Sequence, residues 1–377
     1  MASYWLEEPA LPIPTRSLSG RPDVEIVGGG VTGCSCALTL AAAGARVRLH
    51  EARTIAAGAS GRNGGFALRG GSMAYHEANA TLGRERASQL WRLTEDGLRA
   101  LAAVAGDAFR LTGSLRLAAD EAELDAVRAE HAALTEDGFA VEWIDPLPPQ
   151  LAGFSGGFRH MPDGAIQPAR LVRRLAARAA NAGAELREHS RVESLDRLEA
   201  PVIVVATDGY TSGLVPQLDT VVTPIRNQVV VTEPIEEFLF PLPHYARHGF
   251  DYWQQLPDGR LLVGGRRDAD LAAEATDEEG LTPAIQERLE ACVAELVGRL
   301  PAITHRWAGI FGSSPDGLPL AGPVPGRDGL WVAAGYAGHG NVLGFVCGAL
   351  VARAILGDPP AELDLFEPAR MLGRPAD

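Results

Sequence analysis

Three glycines, at 28, 30 and 33, have the spacing that brings a peptide backbone against a pyrophosphate. The first permits a tight turn, the second leaves no side chain between backbone and phosphate, and the third lets a helix pack closely on its strand. Val31 and Thr32 then fall in the first turn of that helix, where the N-terminus favours an anion. Glu51 follows about twenty residues on, where a carboxylate accepts hydrogen bonds from ribose hydroxyls. A second glycine-dense stretch, "GASGRNGG" from Gly58 to Gly65, has two readings. It is either a floppy loop or a surface where backbone must approach something that is not protein. A third cluster, Gly338-His339-Gly340-Asn341, precedes an apolar helical stretch.

Such groups need elements to hold them. Residues 24–27 read as a short apolar strand, an alanine-rich helix runs from the glycines to Ala43, Gly44 stops it, and "ARVRLHE" forms a second strand ending at Glu51. The result is a βαβ unit. Further along, 76–105 reads as one long amphipathic helix and 121–136 as a shorter one. A helix with Pro168 in its first turn stops at Gly183, and "AELREHSRVESL" reads as a strand passage. "APVIVVATDGYTS" is an apolar strand opening into Ala206-Thr207-Asp208-Gly209. Residues 221–233 and 250–266 read as antiparallel strands, with a turn at "PDG". Helices follow at 282–300 and 341–356. The expected fold is α/β: a Rossmann-type nucleotide-binding domain interleaved with an antiparallel-sheet substrate domain. The first takes residues 1–75, 160–215 and 305–377, the second 76–159 and 216–304.

Composition removes several classes of function. With 377 residues, 46% of them hydrophobic, the chain can bury a core large enough for two domains. A net charge of −14 disfavours nucleic acid and anionic membrane surfaces. The four cysteines, 34, 36, 292 and 347, lack metal or redox spacing and read as buried residues of a reducing compartment; no metal is expected. The first twenty residues do not read as a signal peptide, and the apolar run at 342–356 is too short to span a membrane, so a soluble cytoplasmic protein is expected. No lysine occurs, and all 34 basic residues are arginine. Arginine-favouring codon usage suffices to explain that, yet it excludes a lysine Schiff base and a lysine general base or oxygen activator.

"IVGGGVTG", Glu51, "GASGRNGG", "VIVVATDGYT", "WAGIFGSSPDGLPLAGP" and "GYAGHGNVLG" resemble, in that order, the motifs of the D-amino-acid-oxidase-like superfamily of FAD enzymes. The octet and a "SYW" near the start look most like the gamma-glutamylputrescine oxidase branch. The resemblance implies an extended FAD. Gly28, Gly30, Val31, Thr32 and Gly33 would serve its pyrophosphate, Glu51 its ribose, and Ala52, Arg53 and the Val192 backbone its adenosine end. Ala206 and Thr207 would pass close by. Ala59, Ser60, Arg62, Asn63 and Gly64 would line the flavin, which would collide with anything larger than glycine at 61, 64 or 65. Gly338, His339, Gly340 and Asn341 would turn backbone donors to the flavin pyrimidine edge, His339 adding a donor or simply packing. Relatives that attach FAD covalently use a cysteine or histidine where this chain has 311–314 and Arg62, so non-covalent FAD is expected.

The activity implied is oxidation of an amine or amino-acid C–N bond by hydride transfer to flavin N5, with hydrolysis of the imine and reoxidation by O2 or another acceptor. The alternatives are an FAD dehydrogenase serving a quinone or carrier, action on a C–O bond, or a non-catalytic flavin-binding subunit. Phe311 stands where glycine-oxidase-like relatives carry an arginine that grips a substrate carboxylate, which speaks against an α-amino acid held in that manner. Candidate pocket residues are Arg226 and Gln228 on one strand, Tyr252 and Trp253 on another, and Arg266. The competing reading makes the aromatics core and the arginines surface charges. His160, His244 and His248 read as packing or surface residues.

Overall fold

The computed structural model describes residues 2–10, 12–14 and 16–373. Val24–Val27 is buried along its length and is a central strand, paired at both edges. It pairs in parallel with Val47–His50 and with Val202–Val205. The complete order is Leu320–Pro323, Leu330–Ala334, Val202–Val205, Val24–Val27, Val47–His50, Glu185–Arg187; only the first of these runs antiparallel to its neighbour. The helix Val31–Ala42 crosses between the first two strands of the chain. The final helix, Gly340–Ile355, lies against it closely, because a side chain at Gly348 would overlap the Thr32 carbonyl and one at Gly344 would come within 2.7 Å of Thr32 Oγ1. Two helix N-termini are thereby brought to one end of the sheet.

The second sheet has eight strands, in the order Ile303–Ser313, Thr223–Pro234, Arg260–Gly265, Asp251–Gln255, His244–Ala246, Ser114–Ala118, Gly156–His160, Val141–Trp143. The turn between Asp251–Gln255 and Arg260–Gly265 falls at Pro257 to Gly259, as the sequence suggests. A small sheet of Phe66–Ala67, Gly164–Ile166 and Phe109–Arg110 lies apart from both.

Several expectations shift. The helix expected at 76–105 is two, Tyr75–Leu82 and Arg84–Ala105, because Gly83 takes φ +83° between them. The strand passage expected after Gly183 shortens to Glu185–Arg187: His189 turns to φ +54°, and Glu188 accepts from the Ile55 N–H instead of extending the sheet. Ile303–Ser313, most of which falls in the segment expected with the nucleotide-binding domain, pairs along its length with Thr223–Pro234 in the eight-stranded sheet. Arg84–Ala105, expected with the second sheet, packs on the final helix: a side chain at Gly97 would overlap Val346. Among the described residues no helix is long and apolar enough to cross a membrane.

Candidate cofactor and active site

A cavity of about 630 Å³ runs along the C-terminal ends of the parallel strands, across the N-termini of both helices, and up to the eight-stranded sheet. Glu51, Ala52, Arg53 and Val192 line one end. Gly28, Gly30, Val31, Thr32, Ala206 and Thr207 line the middle with Ala59, Ser60 and Arg62. Asn63, Gly64, Gly338, His339, Gly340, Asn341 and Tyr252 line the far end. Of the nucleotide residues expected from the sequence, Gly33 alone lies off the wall. Its space is taken by protein, since a side chain there would overlap the Gly28 carbonyl.

The Glu51 carboxylate is clamped over the first turn by the N–H groups of Gly29 and Arg53, each at 2.8 Å. Ser60 Oγ accepts from the Val31 N–H at 3.0 Å, tying the octet to the helix N-terminus. Asn63 and Asn341 exchange side-chain hydrogen bonds of 3.0 and 3.2 Å, which join the octet to the second helix N-terminus. The glycines of the octet are crowded by protein as well. A side chain at Gly61 would overlap the Ala56 carbonyl, and one at Gly65 would come within 2.7 Å of the Ile166 carbonyl and 2.8 Å of Trp5. At Gly64 it would come within 2.7 Å of the Tyr252 ring. Protein atoms therefore crowd all three positions. The "SYW" segment serves the same packing, with Trp5 Nε1 donating to the Asn63 carbonyl at 2.7 Å.

The pocket candidates divide by strand alternation. Tyr252 faces the cavity, its hydroxyl accepting from Asn227 Nδ2 at 3.2 Å, while Trp253 is buried in the core. Arg226 and Gln228 point to the other face from Asn227. Both bond the buried Glu274, Arg226 through Nε at 3.0 Å and Nη2 at 2.9 Å, so Arg226 is a structural ion pair and not a pocket residue. Arg266 pairs with Asp251 at 2.9 Å and also lies off the wall. His160 and His244 are buried away from the cavity, and His248 is a surface residue, as expected, that also lines the cavity.

Among the lining residues unread in the sequence are Asn227, Arg267, Tyr210 and Glu279. Asn227 was recoverable from period-two alternation; Glu279, on the turn after Glu274, gives no local signal. Glu279 accepts from both terminal nitrogens of Arg53 at 2.9 Å and from the Tyr210 hydroxyl at 2.5 Å, and pairs with Arg62 at 3.3 Å. Burial would raise its pKa, but these donors outweigh that and hold it below the ordinary value. Burial pulls the His339 imidazole down to about 4, so the ring is neutral at neutral pH.

Gly338 adopts φ +90° with nothing within 4 Å of where a side chain would start, so the backbone there is bare toward the cavity. Asn227 Oδ1 and His339 Nδ1 are buried polar atoms that, among the described residues, have no partner. A long groove with a clamped acid at one end, two helix N-termini along it and unpartnered polar atoms at the other fits an extended dinucleotide. The family model for FAD dependent oxidoreductases, DAO, matches residues 23–354. This chain belongs to the DAO family of FAD-dependent oxidoreductases.

The chain is 29% identical over 390 residues to the probable oxidoreductase OrdL of Rhizobium meliloti, covering 96% of this chain and 88% of that one. It is 27% identical over 376 residues to gamma-glutamylputrescine oxidoreductase of Escherichia coli, covering 92% and 86%. Glycine oxidase of Geobacillus kaustophilus superposes with a TM-score of 0.76 at 25% identity, over 95% of this chain and all of that structure. The cofactor of this DAO-family chain is FAD, held non-covalently, and none of the four cysteines lines the cavity. Among the described residues no group of three or more His, Cys, Asp or Glu is arranged to hold a metal.

Glu279 holds the turn that carries it against the cavity wall. Glu279→Gln is expected to speed FAD release about fivefold, the pair being worth about 1 kcal/mol once solvent screening of the half-exposed Arg53 is counted. Recovery of flavin fluorescence on dilution measures it; an unchanged release rate would show that this ion pair does not help to retain FAD.

Proposed function

We propose that this chain oxidises a C–N bond of an amine or amino acid to an imine, which water then hydrolyses, with O2 or another acceptor taking the electrons. One observation carries the reading: the cavity continues past the Gly340 end into a space walled by Tyr245, His248, Tyr252 and Phe311. FAD, when bound, supplies the two-electron acceptor for hydride leaving the carbon beside nitrogen. Aromatic walls exclude water and favour the uncharged amine, so no strong base is required. The N-terminus of Gly340–Ile355 and the neutral His339 favour negative charge at the adjoining end of the cavity. Tyr252, held by Asn227, is assigned to orient the substrate. Similarity to a gamma-glutamylputrescine oxidoreductase and to a glycine oxidase supports an amine nitrogen as the target. We assign FAD to the side built on the six-stranded sheet and the substrate to the side built on the eight-stranded sheet.

A second reading, a dehydrogenase that passes electrons to a quinone or carrier, is favoured by the absence of any lysine to activate oxygen. Anaerobic addition of primary amines, N-alkyl amino acids and glycine is expected to bleach the flavin band with at least one of them. Peroxide on aeration then marks an oxidase; its absence marks a dehydrogenase. If no amine bleaches the flavin, the C–N reading is wrong.

A further inference from the structure

Arg267 is a cation facing the cavity without an anion. The strand Arg260–Gly265 ends with Gly265 at φ +112°, and Arg266 turns left-handed at φ +60°, so the two adjacent arginines face different ways. Arg266 goes to Asp251 and Glu295. Arg267 lines the cavity, its guanidinium over the ring of Phe250 at 4.6 Å and over that of Phe311 at 5.5 Å. Among the described residues no oxygen accepts a hydrogen bond from it, and no carboxylate lies within ion-pair distance. Nearby acids are engaged: Asp268 pairs with Arg247, and Glu279 with Arg53 and Arg62.

Stacking on aromatic faces leaves a guanidinium's in-plane donors available. Those donors match the two oxygens of a carboxylate, and partial burial makes the pairing stronger than on an open surface. Burial also pulls this arginine below its ordinary pKa, as expected of a cation short of a counter-ion. Phe250, Phe311 and Tyr252 surround the position with apolar surface that rewards a hydrocarbon spacer.

Resting on the amine-oxidation reading above, we propose that Arg267 determines specificity by binding a carboxylate of the substrate, which is therefore an amine whose carbon chain also bears a carboxylate. The site is made by the end of the strand Arg260–Gly265, with Phe250 and Phe311 as the platforms under the cation.

The holoenzyme titrated with phenylacetate and with its neutral counterpart phenylacetamide tests this, followed by the flavin visible band and by calorimetry. Phenylacetate is expected to bind at least about tenfold more tightly, the size of a charge-assisted pair in a partly buried site. Arg267→Met is expected to abolish the difference at unchanged FAD content and melting temperature, and Arg267→Lys to keep part of it. Equal binding of acid and amide by the wild type, no binding of either, or a preference surviving in Arg267→Met would each overturn the proposal. Failure of the amine reading looks different: no amine bleaches the flavin while the acid preference persists and disappears in Arg267→Met.

Discussion

Replacing Gly33 with alanine is expected to give a colourless protein whose affinity for FAD has fallen at least about 100-fold, an effect near 2.7 kcal/mol. The added methyl would overlap the carbonyl oxygen of Gly28, which is backbone and cannot rotate aside. The helix must then lift from the turn, an overpacking cost of about 1–3 kcal/mol even before any cofactor binds. Lifting the helix also moves its first-turn N–H groups away from the anion they serve. Gly30→Ala makes the informative contrast. There the methyl would meet Ser60 Oγ at 2.9 Å, a side chain that can turn away at the loss of its bond to the Val31 N–H. The FAD-free melting temperature of Gly30→Ala should therefore stay close to that of the wild type, while that of Gly33→Ala falls. Both should lose FAD, one through the backbone surface offered to phosphate and the other through the packing behind it. Flavin-to-protein absorbance, titration of apoprotein with FAD and thermal unfolding without it separate the two. A yellow Gly33→Ala protein with wild-type affinity would contradict the packing argument.

The same contrast explains what the sequence revealed and what it hid. Gly28, Gly30 and Gly33 were legible because backbone sterics act over a few residues and leave their mark as spacing. The octet was legible in place but not in its packing: nothing local says that Ile166 and Tyr252, distant in sequence, come against Gly65 and Gly64. Along Thr223–Pro234 the period of two was visible, yet nothing local says which face meets the cavity. Charge drew attention to Arg226, and the pairing with Glu274 gave the cavity to Asn227. Arg267 was hidden because the alternation it would have followed stops at the left-handed Arg266. The strand Ile303–Ser313 reads equally well with either sheet, and only its pairing with Thr223–Pro234 decides.

Glu274→Ala should be the most destabilising single change outside the cofactor track, at about 3–5 kcal/mol, because it strands a buried guanidinium. Glu274 is fully buried and accepts from Arg226, from Gln228 Nε2 at 3.0 Å and from Thr282 Oγ1 at 2.7 Å. Removing it takes the carboxylate acceptor from Arg226 Nε and Nη2, Gln228 Nε2 and Thr282 Oγ1 and leaves the guanidinium without its counter-charge. Arg226 also donates to the carbonyls of Ala273 and Glu278, so the turn that carries Glu279 over the cavity is anchored here. Burial by itself would raise the Glu274 pKa; the hydrogen bonds from Arg226, Gln228 and Thr282 outweigh it and set the folded value below the ordinary 4.5. A carboxylate with a depressed folded pKa contributes stability that is complete above its unfolded value and is lost as pH falls through the folded one. The wild type should thus lose this contribution progressively below about pH 4.5. Glu274→Gln keeps shape and part of the hydrogen bonding, so it should be the milder variant and should flatten that portion of the acid limb. Urea unfolding between pH 3 and 7 reads both effects. A stability–pH slope for Glu274→Gln that matches the wild type throughout would show that the carboxylate does not titrate with unfolding, and the anchoring role given to this pair would have to be abandoned.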